Sequence, residues 1–410
     1  MQPLWLINIV SAKVGTHKNF TMTTSALRLN ASECRLEDLA STTQIASILQ
    51  DFPLGCEVTH GIPVYDCQSL RSALKSGHVD KNVLMSEWVD VWKTGPGVLV
   101  LRSAFEDLDI VDKATEQFQQ LIREGRQAGT GADHFAKAGA NDRVWNALEK
   151  LSVMAPATFA HYYSNSMLAL ACTAWLGPAY QITSQVNCVN PGGEAQKAHR
   201  DYHLGFLSAE QAQSYPAHVH AFSPFLTLQG AIAHVDMPLE SGPTLYLPHS
   251  QKYLLGYLTA GNPAFQAYFD AHHVQLPMKK GDAVFFNPAL MHAAGSNRTT
   301  NQYRLANLLQ VSSAFGRAME SVDRLHMARA LYPTLLGMQS ASALNTEQLE
   351  YVVASSAEGY AFPTNIDRDP PLGGLAPESQ QSLMLRALQE QWPVDKFNQT
   401  LQTQAEKKLA

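Results

Sequence analysis

The stretch VQLPMKKGDAVFFNPALMHAAGSNRTTNQYRLANLLQV, residues 274–311, contains three short runs of apolar, β-branched and aromatic residues. Pro, Gly and Asn lie between the runs. Similar runs occur upstream at residues 182–189, 226–235 and 244–247. Many short strands separated by turn residues are typical of a β-sandwich or barrel. The sequence therefore predicts a mostly β core over residues 180–313.

Helical patterns flank this β region on both sides. They are expected at residues 107–123, 156–175, 321–338 and 379–391. With 410 residues, 45% of them hydrophobic and 16% charged, the chain can bury one large core with helices packed around it.

The charge and cysteine content exclude several classes of protein. The net charge is −6, and no cluster of Lys and Arg offers a surface for nucleic acid. Five cysteines, an odd number with no C-x-x-C pair, argue against a disulfide framework and favour a reducing compartment. The apolar run at residues 3–10 is too short to span a membrane. We expect no membrane association and a cytoplasmic location, with a peroxisomal one left open.

A candidate metal site lies in the β region. In the pattern His199-x-Asp201, alternation along a strand aims an imidazole and a carboxylate at one point. His292, just after the run at residues 283–286, is the candidate third ligand. Two His and one carboxylate leave three positions open on Fe(II), enough for a bidentate 2-oxo acid and O2.

The sequence also contains a competing pair, His234-x-Asp236. His199 follows a Pro-Gly-Gly turn at residues 191–193 that could open a strand toward a pocket, whereas His234 closes an apolar strand. This placement favours His199 and Asp201. If the second pair held the metal, His199 would be a surface residue.

Three blocks of sequence resemble the phytanoyl-CoA dioxygenase family of Fe(II)/2-oxoglutarate-dependent oxygenases. They are HRDYH at residues 199–203, SGPTLYLPHSQK at 241–252, and the segment at 278–304 with a K-G-D start, a distal His and a final Arg. In that family, a strand that ends in acidic residues precedes the second block, and Asp236 matches this position rather than a metal ligand. The resemblance therefore also favours His199-x-Asp201 as the metal-binding pair.

The resemblance implies a fold and a division of the chain. The expected fold is a double-stranded β-helix of the jelly-roll, cupin-like type, with helical extensions at both ends. Residues 1–85 would form an N-terminal extension, and residues 86–318 the dioxygenase domain with flanking helices. Residues 319–410 would form a C-terminal helical extension packed on the core.

The resemblance also implies site residues. His199, Asp201 and His292 match the metal ligands, and Arg304 matches the residue that binds the far carboxylate of 2-oxoglutarate. Arg298 is the alternative, because the spacing from His292 to Arg304 is one residue longer than expected.

Further polar contacts to 2-oxoglutarate are expected from Gln185 and Asn187, which alternate on one strand face, although they could instead face solvent. Ala294 occupies the place of a Ser that is frequent in the family. Either Ser296 substitutes for it, or one polar contact to the co-substrate is absent. Tyr202 and His203 lie beside the ligands and could line the substrate mouth, although strand alternation would turn one of them away. Arg143 and Trp145 could belong to a lid, which the sequence does not show.

The implied activity is hydroxylation, or another oxidation such as desaturation, of a small organic substrate, with release of succinate and CO2. Fe(II), 2-oxoglutarate and O2 would take part, with ascorbate as a stimulant. Asp201 argues against halogenation, because halogenating relatives lack this carboxylate. The alternatives are a cupin-like metalloenzyme that does not use 2-oxoglutarate and an inactive barrel that serves as a binding protein. The protein would be a monomer or homodimer.

Overall fold

A computed structural model describes residues 27–129, 139–371 and 373–409, so the apolar run at residues 3–10 lies outside the described part. Its strands are β1 (Glu57–Thr59), β2 (Ile62–Asp66), β3 (Val98–Arg102), β4 (Asn141–Val144), β5 (Gln181–Val189), β6 (Thr227–Ala233), β7 (Leu245–Tyr246), β8 (Val274–Gln275), β9 (Ala283–Phe286), β10 (His292–Ala293) and β11 (Arg304–Ser312).

The strands form two sheets. The larger has eight strands in the order β1-β2-β3-β9-β6-β11-β5-β4, and the smaller has three in the order β10-β7-β8. All neighbours run antiparallel except β2 and β3. The predicted β core with flanking helices is confirmed, and each of the six predicted strand runs contains a strand.

The large sheet separates a packed core from an open cavity. On β11, Leu305, Leu309 and Val311 belong to the main hydrophobic core, whereas Ala306 and Leu308 line the cavity. This alternation follows from the period of two in a β-strand. The alternating sequence of β11 therefore places one set of side chains in the hydrophobic core and the other set in the cavity.

Helices flank the two sheets, and most of them pack on the core face of the larger sheet. They are α1 (Leu36–Thr43), α2 (Cys67–Ser76), α3 (Lys81–Lys93), α4 (Leu108–Gln127), α5 (Ala147–Met154), α6 (Pro156–Tyr163), α7 (Ser166–Leu176), α8 (Ala209–Gln213), α9 (Ala217–Phe222), α10 (Pro263–His272), α11 (Arg324–Ser340), α12 (Thr346–Ser356), α13 (Gln380–Gln389) and α14 (Val394–Lys407). Within the described ranges, none of these helices combines the length and apolar character needed to cross a membrane.

The helix predictions hold with one correction. Asp107 caps α4, since its side chain accepts a hydrogen bond from the Asp109 backbone amide. The single helix predicted at residues 156–175 is wrong, because two helices, α6 and α7, occupy this stretch. Asn165 begins the second one by accepting hydrogen bonds from the amides of Met167 and Leu168.

Residues before position 86 contribute to the main sheet. β1 and β2 occupy one edge of it, and Ile62, Val64 and Tyr65 on β2 are fully buried. At the other end of the chain, α11 to α14 pack on the core through residues such as Leu331 and Phe397. The N-terminal segment is thus part of the sheet, while the three-part division of the chain stays a prediction.

All five cysteines are free, as the sequence predicts. Burial raises the pKa of the Cys67 and Cys188 thiols to about 12, so both are neutral at physiological pH. These thiols serve as small packing groups.

Candidate functional site

A cavity of about 650 Å³ opens on one face of the large sheet. Residues that share strand rows through the sheet register form its floor. One row runs from Arg143 through Asn187 and Ala306 to Ala233, and the next contains Gln185, Leu308, Ala231 and Val284. The volume is within the usual range for small-molecule sites.

Two backbone segments bring the three candidate ligands together at this cavity. His199 and His292 form an isolated antiparallel bridge, with backbone N–H to O distances of 3.0 and 3.1 Å. The Asp201 amide donates to the carbonyl of Pro288 at 3.0 Å. The H-x-D pattern thus lies in an extended segment with one bridge rather than in a long strand, and β10 contains only His292 and Ala293.

Backbone carbonyls fix the orientation of both imidazoles. Nδ1 of His199 donates to the Lys197 carbonyl at 2.8 Å, and Nδ1 of His292 donates to the Leu290 carbonyl at 2.9 Å. Because Nδ1 carries the proton in each ring, the Nε2 lone pairs are available for a metal. Each Nε2 lies 3.5 Å from a carboxylate oxygen of Asp201, and the three ligand atoms lie within 4.8 Å of one another.

The charges at this point suit a divalent cation. Burial alone would raise the pKa of Asp201, but its contacts with His292, His199 and Gln229 outweigh burial, and the pKa lies well below its usual range. Gln229 Nε2 also donates to Asp201 Oδ2. Burial, and then the neighbouring His292, lower the pKa of His199. An ionised carboxylate therefore sits beside a neutral imidazole at physiological pH.

Arg304 brings a buried cation to the same cavity. It is the first residue of β11, pairs with Val189 and is 6% exposed. Burial lowers its pKa to about 10, so the guanidinium stays charged at neutral pH. Its Nη1 has no hydrogen-bond partner among the described residues. Arg298 is exposed and is not among the residues that line the cavity.

Gln185 and Asn187 lie on β5 and face the cavity, at 1% and 5% exposure. The alternative that they face solvent is therefore wrong. Arg143 donates to Gln185 Oε1 at 3.4 Å, and Asn187 Oδ1 lacks a partner in the described ranges. Both side chains are placed to contact a polar ligand.

Ser296 does not reach the cavity. Its hydroxyl accepts a hydrogen bond from the Ala195 amide at 2.8 Å, whereas Ala294 lines the cavity wall. The expectation that Ser296 contacts the co-substrate is not supported, because this hydroxyl holds the loop before His199 instead.

The competing H-x-D pair does not form a metal site. His234 is buried between two hydroxyls, with Nδ1 2.8 Å from Thr115 Oγ1 and Nε2 2.8 Å from the Tyr162 hydroxyl. Thr115 donates its own proton to the Val111 carbonyl, so His234 Nδ1–H must be the donor in that pair. Asp236 is exposed and accepts from the Lys280 amide. His234 is therefore a packing residue with both ring nitrogens used.

Several expectations about the cavity rim need correction. Tyr202 and His203 are not among the lining residues, whereas Phe206, three positions further on, lines the cavity and is half exposed. Arg143 lies on β4 in the cavity floor, 5.3 Å from the centre of the Trp145 ring, rather than in a lid.

Gln229 is a site residue that the sequence analysis missed. It is the polar member of the run LQGAIA, and it alternates in register with the cavity residues Ala231 and Ala233. A lone amide on the inner face of an apolar strand was the available signal.

A match to a family model agrees with the sequence resemblance. Residues 94–306, just over half of the chain, match the profile "Phytanoyl-CoA dioxygenase (PhyH)". No curated protein matches the chain.

Among similar solved structures is the non-heme alpha ketoglutarate dependent epimerase SnoN from nogalamycin biosynthesis, with 17% identity and a TM-score of 0.40, covering 57% of this chain and 84% of that one. The carbocyclase SnoK from the same biosynthesis has 18% identity and a TM-score of 0.41, covering 59% and 89%. HygX from Streptomyces hygroscopicus, with nickel and 2-oxoglutarate bound, has 14% identity and a TM-score of 0.39, covering 58% and 90%.

Proposed function

The chain belongs to the phytanoyl-CoA dioxygenase family, whose enzymes use Fe(II), 2-oxoglutarate and O2, and we propose that it hydroxylates a small organic molecule. One observation carries the proposal. His199, Asp201 and His292 place three ligand atoms within 4.8 Å of one another in a cavity that also contains Arg304. The three ligand atoms suit a metal ion, and the arginine suits a carboxylate of a dicarboxylate bound beside it.

In this proposal, His199 Nε2, His292 Nε2 and one Asp201 oxygen hold Fe(II). Two imidazoles and a carboxylate on one side of the ion are the donor set of non-haem Fe(II) oxygenases. The backbone carbonyls of Lys197 and Leu290 support the metal by holding the two rings in the correct tautomer.

Arg304 would bind the far carboxylate of 2-oxoglutarate. A buried guanidinium with an unused Nη1 is costly unless an anion pairs with it. The planar fork of Arg matches a carboxylate with two parallel hydrogen bonds. Gln185 and Asn187 would add neutral hydrogen bonds from the neighbouring strand.

Bound together, Fe(II), 2-oxoglutarate and O2 supply the oxidant for the substrate, with succinate and CO2 as co-products. The protein contributes orientation and a largely apolar surface. Met237, Met278, Val284 and Leu308 line the cavity and favour an apolar portion of the substrate over water. Since Asp201 fills the carboxylate position, we favour hydroxylation, with desaturation as the alternative.

The test is an anaerobic titration of the metal-free protein with Fe(II) and 2-oxoglutarate. A chelate of the co-substrate on iron gives a weak visible charge-transfer band, which we expect at one equivalent of each. A succinate-release screen with candidate substrates follows. Tight metal binding without this band would contradict the use of 2-oxoglutarate.

A cupin-like metalloenzyme that does not use 2-oxoglutarate is the second candidate. It would be favoured by an Arg304 outside the cavity or by a third His at the metal. Arg304 lines the cavity, and the only His/Cys/Asp/Glu cluster found in the described ranges has two His and one Asp. An inactive barrel is equally disfavoured, because the ligand set and the arginine are present together.

The remaining sequence predictions stay proposals. They are the division at residues 85 and 318, a cytoplasmic location, stimulation by ascorbate and a monomer or homodimer.

A further inference from the structure

A buried arginine lies between two of the candidate ligands. Arg200 separates His199 from Asp201 and is 3% exposed. Its Nη2 donates to the carbonyl of Ser250, and its guanidinium lies 5.4 Å from the centre of the Tyr257 ring. Within the described chain, no carboxylate forms a salt bridge with this guanidinium.

Gly256 makes room for this guanidinium. A Cβ placed on Gly256 would lie 1.8 Å from Arg200 Cζ and 2.1 Å from Nη2. Such distances are far below van der Waals contact, so any side chain at position 256 would displace the arginine. The planar group is thus enclosed by a backbone surface, an aromatic face and a carbonyl.

Ser250, whose carbonyl accepts from Arg200, also contacts the backbone segment that carries His292. It is fully buried, and its Oγ accepts a hydrogen bond from the Met291 amide at 2.8 Å. Met291 directly precedes His292. One serine therefore contacts the His199/Asp201 segment through its carbonyl and the His292 segment through its hydroxyl.

Stability alone does not explain a buried arginine at this position. The desolvation of a charge generally exceeds what one carbonyl and one ring return, and well-packed apolar residues are often more stabilising. Buried charged groups of this kind are sometimes retained because they specify one geometry. Here the geometry concerned is the separation of the segments that carry the ligand atoms.

We propose that Arg200 and Ser250 are positioning residues that set the distance between the two metal-binding segments. This inference rests on the proposed metal role of His199, Asp201 and His292. Arg200 holds the first segment against the loop at residues 250–257, and Ser250 holds the second segment against the same loop. Neither residue needs to touch the metal.

The test measures Co(II) affinity and the visible Co(II) absorption spectrum without 2-oxoglutarate or O2. Outer-shell residues of metal sites typically contribute 10- to 100-fold in metal affinity. We expect Arg200→Lys and Ser250→Ala each to weaken Co(II) binding by about this factor and to alter the spectrum, which reports coordination geometry. Thermal unfolding and circular dichroism establish that each variant is folded.

A matched pair elsewhere in the chain serves as control. Arg324 is also buried and donates to the carbonyls of Ile182 and Ser355, away from the cavity. Arg324→Lys and Ser355→Ala should lower the unfolding temperature without changing Co(II) affinity. A purely structural role for Arg200 and Ser250 predicts the same behaviour for them.

A double-mutant cycle tests the contact itself. Gly256→Ala should weaken Co(II) binding about as much as Arg200→Lys in the wild type, and little further in an Arg200→Ala background. Should Arg200→Lys fail to fold, Ser250→Ala decides alone, since it removes only one hydroxyl. Folded variants with Co(II) affinity within twofold of wild type would overturn the inference. A wild type that binds no Co(II) would overturn the metal site itself.

Discussion

Replacement of Arg304 by Met should have opposite effects on stability and on co-substrate binding. Burial of the guanidinium lowers its pKa to about 10, which corresponds to roughly 3 kcal/mol of lost solvation for the charged form. Met fills a similar volume without a charge. The metal-free, 2-oxoglutarate-free variant should therefore be more stable than the wild type, by up to about 3 kcal/mol.

The same change should greatly weaken 2-oxoglutarate binding. Two parallel hydrogen bonds between a guanidinium and a carboxylate contribute about 1.5–3 kcal/mol each. The loss of both is about 3–6 kcal/mol, which raises the Kd for 2-oxoglutarate by roughly 10²- to 10⁴-fold. Arg304→Lys keeps the charge but cannot form two parallel hydrogen bonds with a carboxylate. The increase in its Kd for 2-oxoglutarate should therefore be smaller than that of Arg304→Met.

Two measurements check this prediction. Anaerobic titration of the Fe(II) protein, followed by the charge-transfer band, gives the Kd, and thermal unfolding without metal gives the stability. Arg298→Met is the control, because Arg298 is exposed and lies outside the cavity lining. The reasoning is refuted if Arg304→Met leaves the Kd unchanged, or if Arg298→Met raises it instead.

Three further predictions concern neighbouring groups. Gln185→Leu and Asn187→Leu should each raise the Kd for 2-oxoglutarate by about 2- to 12-fold, the value of one neutral hydrogen bond, while Ser296→Ala leaves the same titration unchanged. Asp201 has a lowered pKa, so its contribution to stability is complete above about pH 4 and is lost as the pH falls further. The unfolding midpoints of the metal-free wild type and Asp201→Asn should therefore differ by a constant amount above about pH 4, and the difference should shrink steadily as the pH is lowered further. Burial lowers the pKa of His234 to about 3, so the native state loses about 1.4 kcal/mol per pH unit below pH 6.5 through this residue. Denaturant unfolding at pH 4–7 should show this slope reduced in His234→Phe, and Co(II) affinity should stay at the wild-type value.

The β core could be predicted because its strands are short and bounded by turn residues. β9 matches its predicted run residue for residue, and β5 and β11 extend theirs by one residue at one or both ends. β2, and with it the adjacent β1, could not be predicted, since β2 joins the sheet through a partner distant in sequence. Here that partner is β3, which joins β2 by parallel pairing. Local sequence carries no record of such a pairing.

The candidate ligands and Arg304 were identified by their spacing and by resemblance. The supporting residues were not, because their roles depend on contacts across the fold. Gln229 reaches Asp201 from β6, and Arg200 reaches Ser250 over a separation of 50 residues. Ser296 was misplaced for the same reason: spacing after His292 does not show that its hydroxyl turns toward Ala195.

The position of the metal tests the central claim most directly. Crystals grown anaerobically with Fe(II) and 2-oxoglutarate, measured at the iron absorption edge, give an anomalous peak at the ion. The account predicts one strong peak within bonding distance of His199 Nε2, His292 Nε2 and an Asp201 oxygen, with the far carboxylate of 2-oxoglutarate on Arg304. An iron peak at any other group of residues, or 2-oxoglutarate bound away from Arg304, would contradict it.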